Sequence, residues 1–321
     1  MKLASLASPF PDRRFAAQLA ACVAACIPSA AGQSFGPERV ISASSAGALD
    51  THAVDLDGDG DLDVVSAFHT DDQIAWSQNL GGGIFGAHRV ISVEVDAPWG
   101  VHAGDLDGDG DADVLSASAI DHKIAWYEHL GGGSFGPQRI LTTNAPAARS
   151  VFAIDLDGDG DIDVLSGSQN DDTVGWFENL GAGTFGMRQT ISAGPSSPQD
   201  VFARDLDGDG DPDILVASSS HPSSDISWIE NLGAGSFGPL LMISSMVDGA
   251  TAVYAEDLDG DGDLDVLSAS SGDDKIAWYE NLGSGSFGSQ VVLSNSANST
   301  YDVFAADLDG DGDADIGTGT D

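Results

Sequence analysis

The heptapeptide Asp-Leu-Asp-Gly-Asp-Gly-Asp occurs six times in this chain, beginning at Asp55, Asp105, Asp155, Asp205, Asp257 and Asp307. The spacings are 50, 50, 50, 52 and 50 residues. A fixed period of this length constrains the fold more than any local propensity, because each unit must bury its apolar face against the next copy of itself. The flanking text keeps the same register. Trp76, Trp126, Trp176, Trp228 and Trp278 follow five of the heptapeptides, and Phe-Gly pairs at Phe35, Phe85, Phe135, Phe185, Phe237 and Phe287 close the modules.

Each module holds four short strand-like runs and no helical periodicity. In the second copy strand A is read as Val101 to Asp105, strand B as Asp113 to Ser118, strand C as Lys123 to Glu128, and strand D as roughly Gln138 to Leu141. Gly, Asp and Asn clusters separate runs rich in Val, Ile, Leu and aromatics. Four strands in 50 residues, repeated, predict an all-β fold, a β-propeller of four-stranded blades. Ala53, Ala103, Ala153, Ala203, Ala255 and Ala305 stand two residues before each loop, where a crowded axis needs a small side chain. Phe35 to Ser42 matches a strand D with no A, B or C before it, and the sixth module ends after strands A and B. The expectation is a truncated or imperfectly closed ring of six to seven blades.

The loop between strands A and B reads Asp-x-Asp-Gly-Asp-Gly-Asp-x-Asp. Its carboxylates are Asp55, Asp57, Asp59, Asp61 and Asp63 in the first copy, and Asp105, Asp107, Asp109, Asp111 and Asp113 in the second. Asp155, Asp157, Asp159, Asp161 and Asp163 form the third set, and Asp205, Asp207, Asp209, Asp211 and Asp213 the fourth. The last two are Asp257, Asp259, Asp261, Asp263 and Asp265, then Asp307, Asp309, Asp311, Asp313 and Asp315. Five carboxylates in nine residues repel unless a cation neutralises them. Hard divalent ions prefer oxygen ligands, and calcium tolerates irregular geometry best, so Ca2+ is the expected cofactor at all thirty residues. Positions 1, 3 and 5 are expected to converge on one ion, position 7 to offer its carbonyl and position 9 to close the shell. An EF-hand is excluded, because its twelfth position is Ser66, Ser116, Ser166, Val216, Ser268 and Thr318 here, and strand follows in place of helix.

These loops dominate the charge. Lys and Arg number 11 against 52 Asp and Glu, a formal net charge of −41. That balance excludes a nucleic-acid groove. Residues 1–32 differ from the rest: Lys2, Arg13 and Arg14 precede an Ala-rich apolar run to Ile27 and a small-residue segment to Gly32. This predicts a secretory signal peptide at 1–32, a propeller at 33–321 and a secreted or cell-surface location. Leu19-Ala20-Ala21-Cys22 and Val23-Ala24-Ala25-Cys26 resemble lipoprotein boxes, so a lipid anchor at Cys22 or Cys26 is the alternative. The apolar residues that continue past both cysteines favour plain cleavage. Both cysteines of the chain lie here, so a cleaved chain has no disulfide, and no transmembrane span is expected.

Gly81-Gly-Gly83-Ile-Phe-Gly86 fits a dinucleotide fingerprint, but a strand follows where a helix is required, so it is a C–D turn. The repeated Trp read as core. His52 and His102 align with Phe152, Phe202, Tyr254 and Phe304 and read as packing positions. No nucleophile with a base is found, so a non-enzymatic role is expected.

Phe-Gly, Asp-Leu-Asp-Gly-Asp-Gly-Asp-x-Asp-Val and Ile-Ala-Trp-Tyr-Glu-Asn-Leu-Gly-x-Gly-x-Phe-Gly together resemble the FG-GAP/VCBS-type repeat proteins, relatives of the integrin α propellers. The resemblance covers Phe35 to Asp321. It implies a propeller, seven-bladed in most members, with calcium in the A–B hairpin and an adhesion or binding role outside the cell. The Gly-Ala-Pro element after the loop is missing here, so no integrin ligand site is carried over. Some fungal lectins share this architecture.

Strand order places the A–B loops and C–D turns on one face, alike in every copy. The other face varies: Leu49, Trp99, Arg149, Gln199, Thr251 and Tyr301 stand six residues before the loops. Binding residues concentrate on variable loops of a rigid scaffold. Two roles are expected from this: a non-catalytic binding or adhesion module for an extracellular protein or polysaccharide ligand, or a lectin-like sugar binder or propeller part of an exported polysaccharide-acting enzyme.

Overall fold

The computed structural model describes residues 41, 47–192, 194–220, 224–297, 299–307 and 313–320. The expected signal peptide, Cys22 and Cys26, most of the Phe35 to Ser42 segment, and Asp309 and Asp311 lie outside the described residues.

Each of the first five modules forms one antiparallel sheet whose strands follow chain order from A to D. In the second they are Pro98–Gly104, Asp113–Ser118, Lys123–Tyr127 and Arg139–Thr142. The sheets span residues 48–92, 98–142, 148–192, 198–244 and 250–294. Among the described residues the sixth module contributes Thr300–Ala306 and Asp315–Thr320, a two-stranded sheet. The fold is therefore an all-β propeller, but the expected six to seven blades are corrected to five blades of four strands. Among the described residues the sixth module adds strands A and B, and a full blade needs C and D as well. No helix occurs among the described residues, hence none long and apolar enough to cross a membrane.

Strand B is buried along its whole length in the five blades, because it lies inside its own sheet and packs on strand A of the next one. Strand D carries exposed residues such as Arg89 and Val90. The inner A strands surround the axis. His52, His102, Phe152, Phe202 and Tyr254 form a belt there, with successive ring centroids 4.1, 4.5, 5.1 and 5.0 Å apart. His52 and His102 are buried within it, as a packing role requires. The neighbouring alanines Ala53, Ala103, Ala153, Ala203, Ala255 and Ala305 are buried as well.

Adjacent blades lock through tryptophan. Trp126 lies under the C–D turn of the next blade at Gly183, where a Cβ would stand 2.8 Å from the indole. Trp76, Trp176 and Trp228 meet Gly133, Gly235 and Gly285 in the same way. Trp278 meets no such glycine among the described residues and is only partly buried. Gly183 has φ +64°, so alanine there combines backbone strain with overlap. Gly183→Ala is expected to cost about 2–4 kcal/mol. Gly158→Ala has φ +77° and open space around it, and should cost about 1 kcal/mol. Denaturant unfolding of the two variants checks the difference.

Candidate functional site

The nine-residue loops are shaped first by backbone hydrogen bonds to their own carboxylates. In the third copy Asp155 accepts the amides of Gly158 (2.8 Å) and Gly160 (3.0 Å). Gly160 has φ +98°, a bend that residues with a Cβ rarely adopt. Asp159 accepts the amide of Asp161 at 2.9 Å. Asp163 is fully buried, and its two oxygens accept the amides of Leu156 (3.0 Å) and Asn179 (2.7 Å). Position 9 thus ties the start of the loop to the end of strand C. Asp63, Asp113, Asp213 and Asp265 repeat the arrangement.

Carboxylate oxygens then converge. Those of Asp155, Asp157 and Asp163 lie within 4.8 Å of one another. Asp55, Asp57 and Asp63 do the same, as do Asp105, Asp107 and Asp113, and Asp205, Asp207 and Asp213. In the fifth loop the converging set is Asp257, Asp259 and Asp261. The structure therefore gathers positions 1, 3 and 9 in four loops and positions 1, 3 and 5 in one. Asp59, Asp109, Asp159 and Asp209 stand outside these groups. At position 7, Asp61, Asp161, Asp211 and Asp263 lean toward Gly81, Gly181, Gly233 and Gly283 of the C–D turn. In the sixth loop, Asp307, Asp313 and Asp315 are described without a converging group.

The electrostatics record what this gathering costs. Burial, more than any other cause, pushes Asp113, Asp163 and Asp213 up to about 7, and Asp63 to about 6. Their backbone hydrogen bonds oppose this rise, and the neighbouring Asp charges add to it. Asp265 is raised for the same first reason. Asp107, Asp157 and Asp207 are raised by burial, by neighbouring Asp, and by Glu128, Glu178 and Glu230.

Those glutamates were missed in the sequence reading, although Trp-x-Glu recurs in four modules. They stand at or just past the end of strand C, where their charges act on position 3, and Gln78 takes the place in the first blade, where its amide donates to Asp57. Asn179, Asn231 and Asn281 were also missed. Each donates to the loop of its own blade and to that of the preceding one, as Asn179 does to Ile162 and Leu106, both at 2.8 Å. The repeated Asn-Leu-Gly was the available signal.

Whether this donor set suits a cation is a matter of geometry. Two oxygens on opposite sides of one calcium ion are about 4.6–5.2 Å apart. Groups within 4.8 Å meet that limit, every donor is oxygen, and Asp57 Oδ1 is buried without a hydrogen-bond partner. The residues present fit a hard divalent ion.

At the other end of the axis the inner strands of all six sheets line one cavity of about 180 Å³. Leu49, Trp99, Arg149, Gln199, Thr251 and Tyr301, the variable positions of the sequence, all reach it. The residues that follow them sew the seams. Asp50 accepts the Val101 amide at 2.9 Å, and Asp200 accepts the Ser150 hydroxyl (2.8 Å) and the Val253 amide (3.2 Å).

The FG-GAP-like repeat family matches five overlapping windows, residues 55–116, 105–166, 155–216, 205–268 and 257–318. The chain belongs to this family. Membership covers the loops, the tryptophans and the Phe-Gly turns described above. No curated protein matches the chain. Among solved structures, this FG-GAP-like protein is similar to an Agrocybe aegerita lectin that recognises non-reducing terminal N-acetylglucosamine. The TM-score is 0.56 at 21% identity, over 77% of this chain and 66% of the lectin. It is similar to a Penicillium chrysogenum α-L-arabinanase, with TM-score 0.56 at 12% identity over 85% of this chain and 93% of the enzyme. It is also similar to virginiamycin B lyase from Staphylococcus aureus, with TM-score 0.54 at 12% identity over 82% and 75% of the two chains. The match spans just under two thirds of the lectin's length. A shared fold across a lectin and two enzymes selects no function by itself.

Proposed function

We propose that this FG-GAP-like protein is an exported, calcium-stabilised propeller that acts as a non-catalytic binding module for an extracellular protein or polysaccharide. The observation that carries this reading is the contrast between its two faces. The loop face is the same in every blade and devoted to holding carboxylates. The opposite face brings six unlike side chains, two of them aromatic, into one cavity. A rigid scaffold that varies at one mouth is how binding sites are built on repeat folds.

Calcium would be held by positions 1, 3 and 9, with the strand-C glutamates beside position 3. It would supply positive charge that offsets the carboxylate repulsion and cross-links the A–B hairpin. Export places the loops where calcium is plentiful and leaves the ion, in place of disulfides, to reinforce the fold.

A lectin-like role is favoured over protein adhesion by Tyr301, because an exposed aromatic face at a small polar cavity suits a sugar ring, while Trp99 backs the Arg149 side chain beside it. A glycan array of the calcium-loaded chain tests this. Binding is expected, and Trp99→Ala and Tyr301→Ala should each weaken it by about 1–3 kcal/mol while leaving the melting temperature nearly unchanged. Binding that ignores both substitutions would move the site away from the axial mouth.

A further inference from the structure

The axial cavity contains one cation, and its surroundings are unusual for a chain with a net charge of −41. The Arg149 guanidinium lies over the Trp99 ring, 3.5 Å from its centroid. Its Nε donates to Gln169 at 2.8 Å. These two contacts fix its plane and leave its terminal nitrogens for the cavity that Arg149 lines. Among the described residues the arginine ion pairs are Arg139–Glu128 and Arg188–Asp171, and Arg149 is in neither. Burial lowers its pKa to about 10.

The cavity also contains carboxylates: Asp50 and Asp200 bond across the seams to neighbouring blades, and Asp302 bonds within its own strand. Asp50 accepts the amides of Thr51 and Val101, Asp200 accepts Ser150 and Val253, and Asp302 accepts the amide of Val303. They present acceptors at the rim of the cavity. Tyr301 is 42% exposed beside them, and Gln199 completes the wall, its Nε2 donating to the Ser197 carbonyl and hydroxyl and its side-chain carbonyl left as an acceptor.

A partly desolvated, pre-oriented guanidinium is completed by a planar anion that it can grip with two parallel hydrogen bonds. An aromatic face and several hydrogen-bond acceptors suit a ring bearing hydroxyls. The cavity has room for one such ring. We propose that the axial cavity binds the carboxylate-bearing terminal sugar of an acidic glycan, a hexuronate, with Arg149 on the carboxylate and Tyr301 and Gln199 on the ring and its hydroxyls. This rests on the binding-module reading above and names its ligand class. The net negative charge of the chain does not forbid it. Repulsion from charges beyond ~8 Å is screened at physiological ionic strength, and the nearer Asp50, Asp200 and Asp302, which share the cavity, oppose the anion, so the direct contact with Arg149 must outweigh them.

The test is an NMR titration of the calcium-loaded full chain with four probes: methyl β-glucuronide, its methyl ester, methyl β-glucoside, and N-acetyl-diglycine as a peptide carboxylate. The glucuronide is expected to bind about tenfold or more tighter than the ester or the glucoside. Arg149→Gln should erase that preference at an unchanged melting temperature, and Arg149→Lys, which keeps the charge, should restore part of it. If Arg149→Gln fails to fold, the comparison of acid with ester in the native chain and in Arg149→Lys still decides. Equal binding of glucuronide and ester, lost in Tyr301→Ala, overturns the inference and leaves the binding-module reading in place. Tighter binding of N-acetyl-diglycine overturns the sugar assignment. Silence from all four probes overturns the inference, while the glycan array decides the broader reading separately.

Discussion

Removing calcium is expected to lower the melting temperature of this protein by roughly 15 °C or more. Ligand binding to the folded form alone stabilises by RT ln(1 + [Ca]/Kd). With Kd near ~10⁻⁴ M, common for extracellular modules, about 1 mM calcium contributes roughly 1.4 kcal/mol per loop. Six loops together contribute about 8 kcal/mol. The whole stability of a domain is roughly 5–15 kcal/mol, so this share is large, and each kcal/mol moves the melting point of a chain this size by about 2 °C. The metal-free chain has a second expected property. Asp113, Asp163 and Asp213 hold their protons up to about pH 7, well above the 3.8 of a free carboxyl. Between these values the folded state binds more protons than the unfolded state, so falling pH stabilises it. The chelated protein should melt higher at pH 5 than at pH 8, and the calcium effect should shrink over the same interval. Scanning calorimetry with and without chelator at both pH values checks both statements.

The second large effect separates two aspartates of the same loop. Asp163→Ala removes a fully buried carboxylate that accepts the amides of Leu156 and Asn179. Leaving two buried donors without partners costs about 2–5 kcal/mol, with or without calcium. Asp159→Ala removes a side chain outside the converging group, whose oxygen serves only the exposed amide of Asp161. It should cost at most one loop's share, about 1.4 kcal/mol, and nothing in the presence of chelator. Denaturant titrations of both variants in the two conditions give the comparison. Equal losses would mean that position 9 is one ligand among five and not the bracket between loop and strand C.

The repeat made most of the architecture readable. Asp113–Ser118 is strand B as expected, and Lys123–Tyr127 and Arg139–Thr142 lie within a residue of the expected strands C and D. Alternation and Gly-rich turns are local signals, so they survive in one module's text. Strand A was read as beginning at Val101, but it begins at Pro98. The register shift between Pro98 and Gly100 explains the miss, because a bulge breaks the period-two pattern. The expected ring of six to seven blades, truncated or imperfectly closed, is five blades of four strands, because the sixth module, read from the sequence as strands A and B, forms a two-stranded sheet among the described residues.

The candidate site was legible as a list of carboxylates but not as a geometry. That Asp163 reaches Asn179, or that Asn179 reaches back to Leu106, depends on contacts across strands and blades that no local pattern encodes. The same holds for Arg149 on Trp99, which come together because adjacent inner strands run side by side at a spacing of 50 residues. Trp99 and Arg149 were both visible as unlike residues at equivalent positions. Their pairing required the close approach at Gly100, where a Cβ would stand 2.7 Å from the Arg149 carbonyl.

The central claim, that the six Asp-rich loops hold calcium and thereby the fold, is tested most directly by an isothermal calcium titration of the metal-free chain. The account predicts uptake of about six ions per chain with Kd near ~10⁻⁴ M, accompanied by a matching rise in melting temperature. Fewer than one ion per chain, or full uptake with no change in melting temperature, would contradict it.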